Sequence, residues 1–320
     1  MKELIFINKN KQHLDEVIQG IMAARPEALR RIENEYSYVL TKKELFADKV
    51  QVIVNGGGGR GPFFEGVVGE GMADAMVSGD FNCAPNAYML YQTAKEIEQN
   101  KGILFIANNF MGDYLNNDMA KELLEGDGIE TKVCYASDDI YSSRGENKEN
   151  RGGLSGIGFI MKVAAAASES GENLKEVHRV SEKVNERTRS LSLCYNVGKN
   201  AIEFGNGFSG EKPTEIVPYE DVNRVAEKVV GVLMNELGRY RSGRIHIMVN
   251  RMLYTSYAEG YIMLGALKKK LEGRGIKTGI CTAGNYFDAY DYNGFIISFM
   301  AADDEIENYT KRVNGFDFTV

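Results

Sequence analysis

The sequence predicts an α/β protein in which short buried strands alternate with longer amphipathic helices. The chain has 320 residues, enough for two domains with a sizeable core. Its composition is 43% hydrophobic and 26% charged, which is typical of a globular protein. Because strand-like and helix-like runs follow one another along the chain, we expect an α/β protein with a largely parallel sheet, in two domains or one large one.

Five short apolar runs are predicted as buried strands, since each is rich in branched residues and bounded by polar ones. They are the segments Val50 to Val54, Gly102 to Ala107, Thr131 to Ala136, Arg244 to Asn250 and Gly294 to Met300. Apolar residues at three- and four-residue spacing predict helices between these strands. The helical runs start near Asn86, Asn117, Gly153, Tyr219 and Ser256.

Two polar, glycine-bearing segments are predicted as loops. Residues 138–153 have the composition of a long surface loop, and residues 203–215 combine three glycines with a proline. A charged helix around residues 181–186 lies between them. We place the domain boundary in this helix, which gives an N-terminal domain of residues 1–183 and a C-terminal domain of residues 184–320.

The overall charge excludes some classes of partner. The net charge is -7, which argues against binding to nucleic acid or to an anionic membrane surface. The first residues contain only four consecutive apolar side chains, Leu4 to Ile7, too few for a signal peptide, so we expect a cytoplasmic protein. The four cysteines lie in or beside apolar segments and are predicted as buried thiols. The three histidines have no metal-ligand spacing, and no metal site is predicted.

The stretch from Val54 to Gly71 is the most unusual part of the sequence, because eight of its eighteen residues are glycine. Residues 56–61 match the dinucleotide-binding pattern G-x-G-x-x-G, but Pro62 and the later glycines oppose the helix that should begin there. The lysine and serine or threonine of a phosphate-binding P-loop are also absent. Two interpretations stay open: a backbone that exposes N–H groups or adopts positive φ beside a ligand, or a tight turn packed on another element.

Several segments, in order, resemble the K subunit of dihydroxyacetone kinase. They are "NGGGGRGPFFEGVVGEGM", "ILFIANNFMGDYLNNDMAKELL", "CYASDDI", "NRGGLSGIGFIMKVAAAASESGENL", "IEFGNGFSGE" and "YDYNGFIISFM". The match extends from about residue 10 to residue 320. The chain is therefore identified as a divergent member of this family.

The resemblance implies a homodimer that binds a small ketone. Each chain is expected to have two α/β domains, each with a largely parallel or mixed sheet flanked by helices. In this family a histidine holds dihydroxyacetone as a covalent hemiaminal, and a separate L subunit carries the ADP or ATP. In bacteria the L subunit is often recharged by a protein of the phosphotransferase system. By this resemblance the chain itself binds no nucleotide or other cofactor, and its partner is an L-type subunit or a regulator.

The resemblance also implies the residues of the pocket. Its ligand-binding positions fall on Gly56, Gly57, Gly58, Asn108, Gly112 and Asp113. The aspartate that binds the substrate hydroxyl is kept as Asp113. Four family residues are replaced: the hemiaminal histidine falls on Ser209, the histidine of the glycine loop on Arg60, the acidic residue after it on Gly61, and a lysine on Asn108.

These replacements change the expected chemistry. A serine hydroxyl is a poor nucleophile without an adjacent base, and none of the three histidines is near Ser209 in sequence, so we expect a ligand held without a covalent bond. Arg60 stays protonated and cannot accept a proton. It could bind an anionic ligand or pair with Asp113. Asp113 could instead cap the following helix, and Ser209 could be a simple turn residue.

Three functions are compatible with the sequence. The first is phosphotransfer to a small hydroxy-ketone, sugar or polyol with a nucleotide-carrying L subunit. The alternative is a non-catalytic paralogue that senses a ligand and co-activates a transcriptional regulator. The third, an ordinary dihydroxyacetone kinase subunit, is disfavoured by the missing histidine, so activity on dihydroxyacetone itself stays open. The tyrosine-rich segment of residues 285–295 is expected in the core of the second domain or at a dimer contact.

Overall fold

The computed structural model of the protein describes residue 8 and residues 13–32, 38–45, 48–58, 67–81, 83–143, 150–208, 210–287 and 293–312. These residues form two six-stranded sheets with helices on their faces. The predicted α/β class is therefore confirmed. None of the helices in this described part of the chain has both the length and the apolar content needed to span a bilayer.

The first sheet has the strand order β1-β2-β4-β3-β5-β6. Its strands are β1 (Leu29–Arg31), β2 (Tyr38–Lys42), β3 (Gln51–Gly58), β4 (Ala75–Phe81), β5 (Ile103–Asn108) and β6 (Thr131–Ala136). Strands β4, β3, β5 and β6 are mutually parallel, whereas β1 and β2 add an antiparallel edge. In the β3–β5 pair, Val52 lies opposite Leu104 and Asn55 lies opposite Ala107.

The second sheet has the strand order β11-β10-β12-β7-β8-β9. Its strands are β7 (Thr188–Asn196), β8 (Ala201–Phe204), β9 (Glu215–Pro218), β10 (Arg244–Arg251), β11 (Thr278–Gly284) and β12 (Gly294–Ala302). Only the β10–β11 pair is parallel among these neighbours, so this sheet is mixed and mainly antiparallel.

Helices cover the outer faces of both sheets and fill the space between them. They are α1 (His13–Ala24), α2 (Ala87–Ile97), α3 (Met111–Gly126), α4 (Ile157–Glu169), α5 (Leu174–Glu186), α6 (Val222–Leu237), α7 (Tyr257–Gly273) and α8 (Asp304–Arg312). One apolar cluster packs α2 and α3 on the first sheet, and another packs α6 and α7 on the second. A further cluster joins the inner faces of the two sheets through α4 and α5.

Helix α4 is the central element of this arrangement. Every residue from Ile157 to Ser168 is buried, and four consecutive alanines let the helix fit closely between neighbours. The cluster around it contains Val52 of the first sheet and Met248 of the second. A helix that is apolar on all sides belongs in the interior, as observed here.

Two expectations about burial need correction. The predicted surface loop of residues 138–153 is buried at both of its described ends, since Asp138, Asp139 and Arg151 are 0%, 5% and 5% exposed. The reason is that the Asp138 carboxylate accepts backbone N–H groups of Leu154 and Gly156 at the start of α4. Residues 144–149 lie outside the described residues.

The cysteine prediction is only partly right. Cys134 and Cys194 are buried, whereas Cys281 is half-buried and Cys83 is exposed. Cys83 follows β4 in an irregular segment, where proximity to an apolar run did not imply burial.

The tyrosine-rich segment contributes to the core. Tyr286, Phe287 and Phe295 are buried, so the core interpretation holds for them. Residues 288–292 lie outside the described residues. The boundary between residues 183 and 184 stays a prediction.

Candidate functional site

The carboxyl ends of the parallel strands of the first sheet form a natural place for a ligand. The chain leaves β3 for β4 on one side and returns through α2 to β5 on the other side. Ligands of open α/β sheets bind at such a switch point, in the crevice outside the carboxyl ends of the strands. Residues Gly56 to Gly58 end β3, and Asn108 ends the adjacent strand β5.

Asp113 lies at this edge, in the first turn of α3. It is the third residue of the helix, whose N-cap is Phe110 without a side-chain capping bond. The alternative in which Asp113 is the N-cap is therefore wrong. Its side chain is buried, with the residue only 5% exposed, and its Oδ1 has no hydrogen-bond partner within the described residues.

Burial changes the acidity of Asp113. Removal of the carboxyl group from water disfavours the charged form, which raises the pKa of Asp113 to about 7. The positive end of the α3 dipole favours the carboxylate but does not outweigh desolvation here. A carboxyl group that titrates near neutral pH can both accept and return a proton, which is the property of a general acid–base group.

Asn108, at the end of β5, is a second buried polar group at this edge of the sheet. The residue is 8% exposed, and its Oδ1 has no partner within the part of the chain that the structure describes. Gly153 approaches this amide closely. A Cβ atom added at Gly153 would lie 2.1 Å from Asn108 Oδ1 and 2.6 Å from the carbonyl oxygen of Ala136. Glycine is therefore required at position 153 to leave room for the Asn108 side chain.

A pair of buried asparagines holds α3 against β3. Asn55 Nδ2 donates to Asn117 Oδ1 at 2.9 Å, and Asn117 Nδ2 donates to Asn55 Oδ1 at 2.8 Å. Asn117 also donates to the carbonyl oxygen of Asp113 at 2.8 Å. These two asparagines were not predicted as site residues. The available signal was a polar residue, Asn55, at the end of an otherwise apolar strand.

The first glycines of the glycine-rich stretch lie in a strand, whereas the sequence suggested a backbone with positive φ or a tight turn. Gly56, Gly57 and Gly58 continue β3, and none of them has positive φ. The register of β3 against β4 shifts between Gly56 and Gly58, so these glycines form an irregular strand end rather than a loop. Gly112 lies in the first turn of α3.

Two predicted site residues, Arg60 and Ser209, lie outside the described residues. Their roles and the proposed Arg60–Asp113 pair stay predictions. The structure thus brings together Gly56, Gly57, Gly58, Asn108, Gly112 and Asp113 at one edge of the first sheet.

The segment before α4 connects this edge to the second sheet. Asn109 Nδ2 donates to the Arg151 carbonyl oxygen at 2.8 Å, and the Asp139 N–H donates to the Gly152 carbonyl oxygen at 3.0 Å. Asp139 also forms an isolated bridge with Ser190 of β7. Burial, together with the nearby carboxylates of Asp138 and Glu211, raises the pKa of Asp139 to about 7. Asp139 is a second titratable group that was not singled out from the sequence.

The loop that contains position 209 also needs glycine. Gly205 and Gly207 have φ of 85° and 60°, a region that favours glycine. The Gly207 N–H donates to Ser192 Oγ at 2.7 Å, which fixes this loop on β7. Among the described residues, no group of three or more His, Cys, Asp or Glu side chains is placed to hold a metal ion.

Comparisons with known proteins agree with this fold. The chain is 28% identical to the dihydroxyacetone-binding subunit of PTS-dependent dihydroxyacetone kinase 2 from Listeria innocua, over 94% of this chain and 95% of that protein. It is also 28% identical to L-erythrulose 1-kinase of Mycolicibacterium smegmatis, over 94% of this chain but only 55% of that protein. The chain therefore spans nearly all of the first relative and about half of the second.

The fold is also found among solved structures. A solved structure concerning regulation of the dha operon of Lactococcus lactis superposes with a TM-score of 0.89 at 22% identity, covering 98% of both chains. At this identity the similarity shows the fold alone. The model of the Dak1 domain matches residues 19–315, and the chain therefore belongs to the Dak1 domain family.

Proposed function

We propose that this protein is the substrate-binding subunit of a dihydroxyacetone-kinase-type phosphotransferase. The observation that supports this most strongly is Asp113, a buried carboxyl group with pKa of about 7 and a free Oδ1 at the carboxyl edge of the sheet. It can accept the proton of a substrate hydroxyl as that hydroxyl attacks a phosphoryl group. The Asn108 amide, at the end of β5, can bind the carbonyl or a second hydroxyl.

The substrate class is a small hydroxy-ketone. The names of the relatives mention dihydroxyacetone and L-erythrulose, which both carry a hydroxyl group next to a ketone. Asp113 and Asn108 offer an acceptor and an amide at neighbouring positions, which suits this pattern. If Arg60 faces the pocket, it extends the substrate class to anionic analogues. The pairing of Arg60 with Asp113 remains the other possibility for this residue.

We expect the ketone to bind without a covalent bond, since Ser209 occupies the position of the family's hemiaminal histidine. Intact-mass measurement after incubation with excess dihydroxyacetone, with and without borohydride, should show the unmodified protein. Ser209→Ala should behave in the same way. A stoichiometric mass increase that disappears in Ser209→Ala would contradict the proposal of non-covalent binding.

The nucleotide is expected on a separate L-type subunit. The chain matches a separate binding subunit over nearly all of its length and a single-chain kinase over about half, so the nucleotide-carrying part is expected elsewhere. The exposed face of α3 is where we propose that this subunit docks. Met111, Leu115 and Met119 are spaced by four residues on α3 and are 73%, 57% and 57% exposed. This apolar stripe begins two residues before Asp113, beside the reacting group.

Leu115→Arg is expected to weaken binding of the ADP-loaded L-type subunit of the same organism by at least about tenfold in Kd, because a charge would enter an apolar contact. Val17→Arg on α1 is the matched control, since Val17 is 45% exposed and α1 packs on β1 and β2, away from α3. Calorimetric titration measures both variants. Equal affinity of wild type and Leu115→Arg would reject α3 as the docking face.

Light scattering on the same samples measures the assembly state, for which we propose a homodimer. We also propose that the protein is cytoplasmic. The exposed faces include a second apolar patch on α7, where the Tyr257 and Tyr261 rings lie 4.6 Å apart.

The alternative function, a ligand sensor that co-activates a regulator, has no specific support in the geometry of the site. A buried acid–base group is needed for proton transfer and is not needed for sensing.

A further inference from the structure

We propose a second ligand site: an anion-binding cleft that takes a phosphate group, free or as part of a small phosphate ester. The cleft lies between the carboxyl-terminal ends of α5 and α6 and the start of β7. Its volume is about 660 Å³, and its lining includes Ser137, Arg151, Arg189, Glu236 and Tyr240. It is separate from the pocket around Asp113, and the proposal does not depend on the proposed function.

Two buried arginines are the main feature of the cleft. Arg151 and Arg189 are only 5% and 6% exposed. Arg151 Nη2 is 2.8 Å from Glu236 Oε2, but its Nε and Nη1 have no acceptor within the described residues. Arg189 donates from Nη1 to the Thr188 carbonyl oxygen, and its Nε likewise has no acceptor there. Buried guanidinium groups normally have all their donors satisfied, so this arrangement points to a missing acceptor.

The carboxylates near the two arginines do not satisfy all of these buried donors. Glu236 is a carboxylate of the cleft lining, and it pairs with Arg151. On α5, Glu186 accepts a hydrogen bond from the Tyr240 hydroxyl at 3.1 Å, and Glu182 is at the rim with a side chain that is 41% exposed.

Asp138 is also near Arg189. Its two oxygens accept the N–H groups of Leu154 and Gly156 at the start of α4. Among the described residues, Nε and Nη1 of Arg151 and Nε of Arg189 are therefore left without an acceptor.

The unsatisfied donors have an energetic consequence. Burial and then the neighbouring charge of Arg151 lower the pKa of Arg189, as expected for a guanidinium group removed from water beside a second cation. An anion between the two guanidinium groups would remove their repulsion and accept their free donors. Planar guanidinium groups bind the oxygens of a phosphate through paired hydrogen bonds, which lysine cannot do. A cleft of about 660 Å³ also has room for more than inorganic phosphate.

Calorimetric titration of the full-length protein with inorganic phosphate, and separately with glycerol 3-phosphate, tests the site. Arg189→Gln should weaken binding by about tenfold to a hundredfold, the effect of losing one charged hydrogen bond. Arg179→Gln on α5 is the matched control and should bind as wild type does, because its guanidinium is 47% exposed and pairs with Glu176. Tighter binding of glycerol 3-phosphate than of phosphate would identify an ester as the ligand, and the reverse would identify the free ion.

Two further variants separate this cleft from the pocket at the first sheet. Glu236→Gln removes the competing carboxylate and should strengthen phosphate binding, which provides a test even if Arg189→Gln does not fold. Phosphate bound by Arg60 in the predicted pocket would be a separate binding event, so Arg60→Ala should keep the event that Arg189→Gln loses. The proposal is overturned if wild type binds neither phosphate nor glycerol 3-phosphate with a Kd below about 10 mM. It is also overturned if Glu236→Gln binds no tighter, or if that same event is lost in Arg60→Ala.

Discussion

Asp113→Asn is expected to lower the rate of phosphoryl transfer to the ketone by about 10²- to 10⁴-fold, the usual contribution of a general acid–base group. Asparagine has the same shape and can still bind a hydroxyl group, but it cannot accept its proton. Because burial raises the pKa of Asp113 to about 7, the wild-type rate should rise as this carboxyl group ionises and level off above neutral pH. A steady-state assay with the L-type subunit and ATP, from pH 5 to pH 9, measures both effects.

The same variant should change the pH dependence of stability. The pKa of Asp113 is about 7 in the folded protein and 3.8 as its ordinary value, so between these pH values the folded protein keeps a proton that the unfolded chain has lost. Stability of the wild type therefore falls as pH rises from about 4 to about 7. Asp113→Asn has no such cost and should be more stable than wild type above pH 7, by at most about 4 kcal/mol.

Asp118→Asn is the control for both measurements, since Asp118 is an exposed carboxylate on the same helix. It should leave the rate and the pH dependence of stability unchanged. A rate for Asp113→Asn within about threefold of wild type would show that Asp113 does not transfer the proton. Equal pH dependence of unfolding in wild type and Asp113→Asn would show that the buried carboxyl group is not protonated at neutral pH.

The second large effect is expected at the opposite ends of the strands of the same sheet, just before β3 and β4 begin. Asp74 is fully buried, and its carboxylate pairs with Lys42 at 3.0 Å and with Lys49 at 2.6 Å. Both lysine side chains are only 5% exposed. The same carboxylate accepts the Val52 N–H at 2.8 Å, at the start of β3. Burial lowers the pKa of Lys49, as expected for an ammonium group removed from water.

Asp74→Ala should lower the free energy of unfolding by about 3–5 kcal/mol, because it removes the carboxylate that two buried ammonium groups share. Lys42 then keeps Glu169 at 3.4 Å and Lys49 keeps Ser168 Oγ at 3.2 Å. Urea denaturation followed by circular dichroism measures this change. Asp127→Ala is the control, because Asp127 and its partner Lys95 form an exposed pair on the surface and little change is expected. If Asp74→Ala unfolds within about 1 kcal/mol of wild type, the two lysines must find other partners or water, and the buried triad is not a stabilising centre.

The sequence predicts the regular parts of the fold well because their apolar periodicity is strong. The run from Thr131 to Ala136 is β6, and Asn86 caps α2 by accepting the Met89 N–H at 2.9 Å. Strands such as β4 and β9 were not predicted. Residues 75–81 include Gly79 and Asp80, and β9 has only four residues, so neither has a clear strand pattern.

Burial of polar segments could not be predicted, because it depends on partners distant in sequence. The region after residue 138 has a loop composition, yet Asp138 is buried where it binds the start of α4. The same limit applies to the site. Asp113 and Asn108 were found through resemblance to a family, and composition alone does not distinguish them from other polar residues. The raised pKa of Asp113 arises from desolvation, which requires the packed structure.

The most direct test of the proposed function is formation of a phosphate ester. Dihydroxyacetone and erythrulose are each incubated with this protein, the L-type subunit of the same organism and ATP, and the products are followed by phosphorus NMR. We expect an ester of at least one ketone with wild type and Asp118→Asn, and almost none with Asp113→Asn. Binding of a ketone without any ester would contradict a kinase subunit and favour a sensor, while equal ester formation by Asp113→Asn would contradict the role of Asp113.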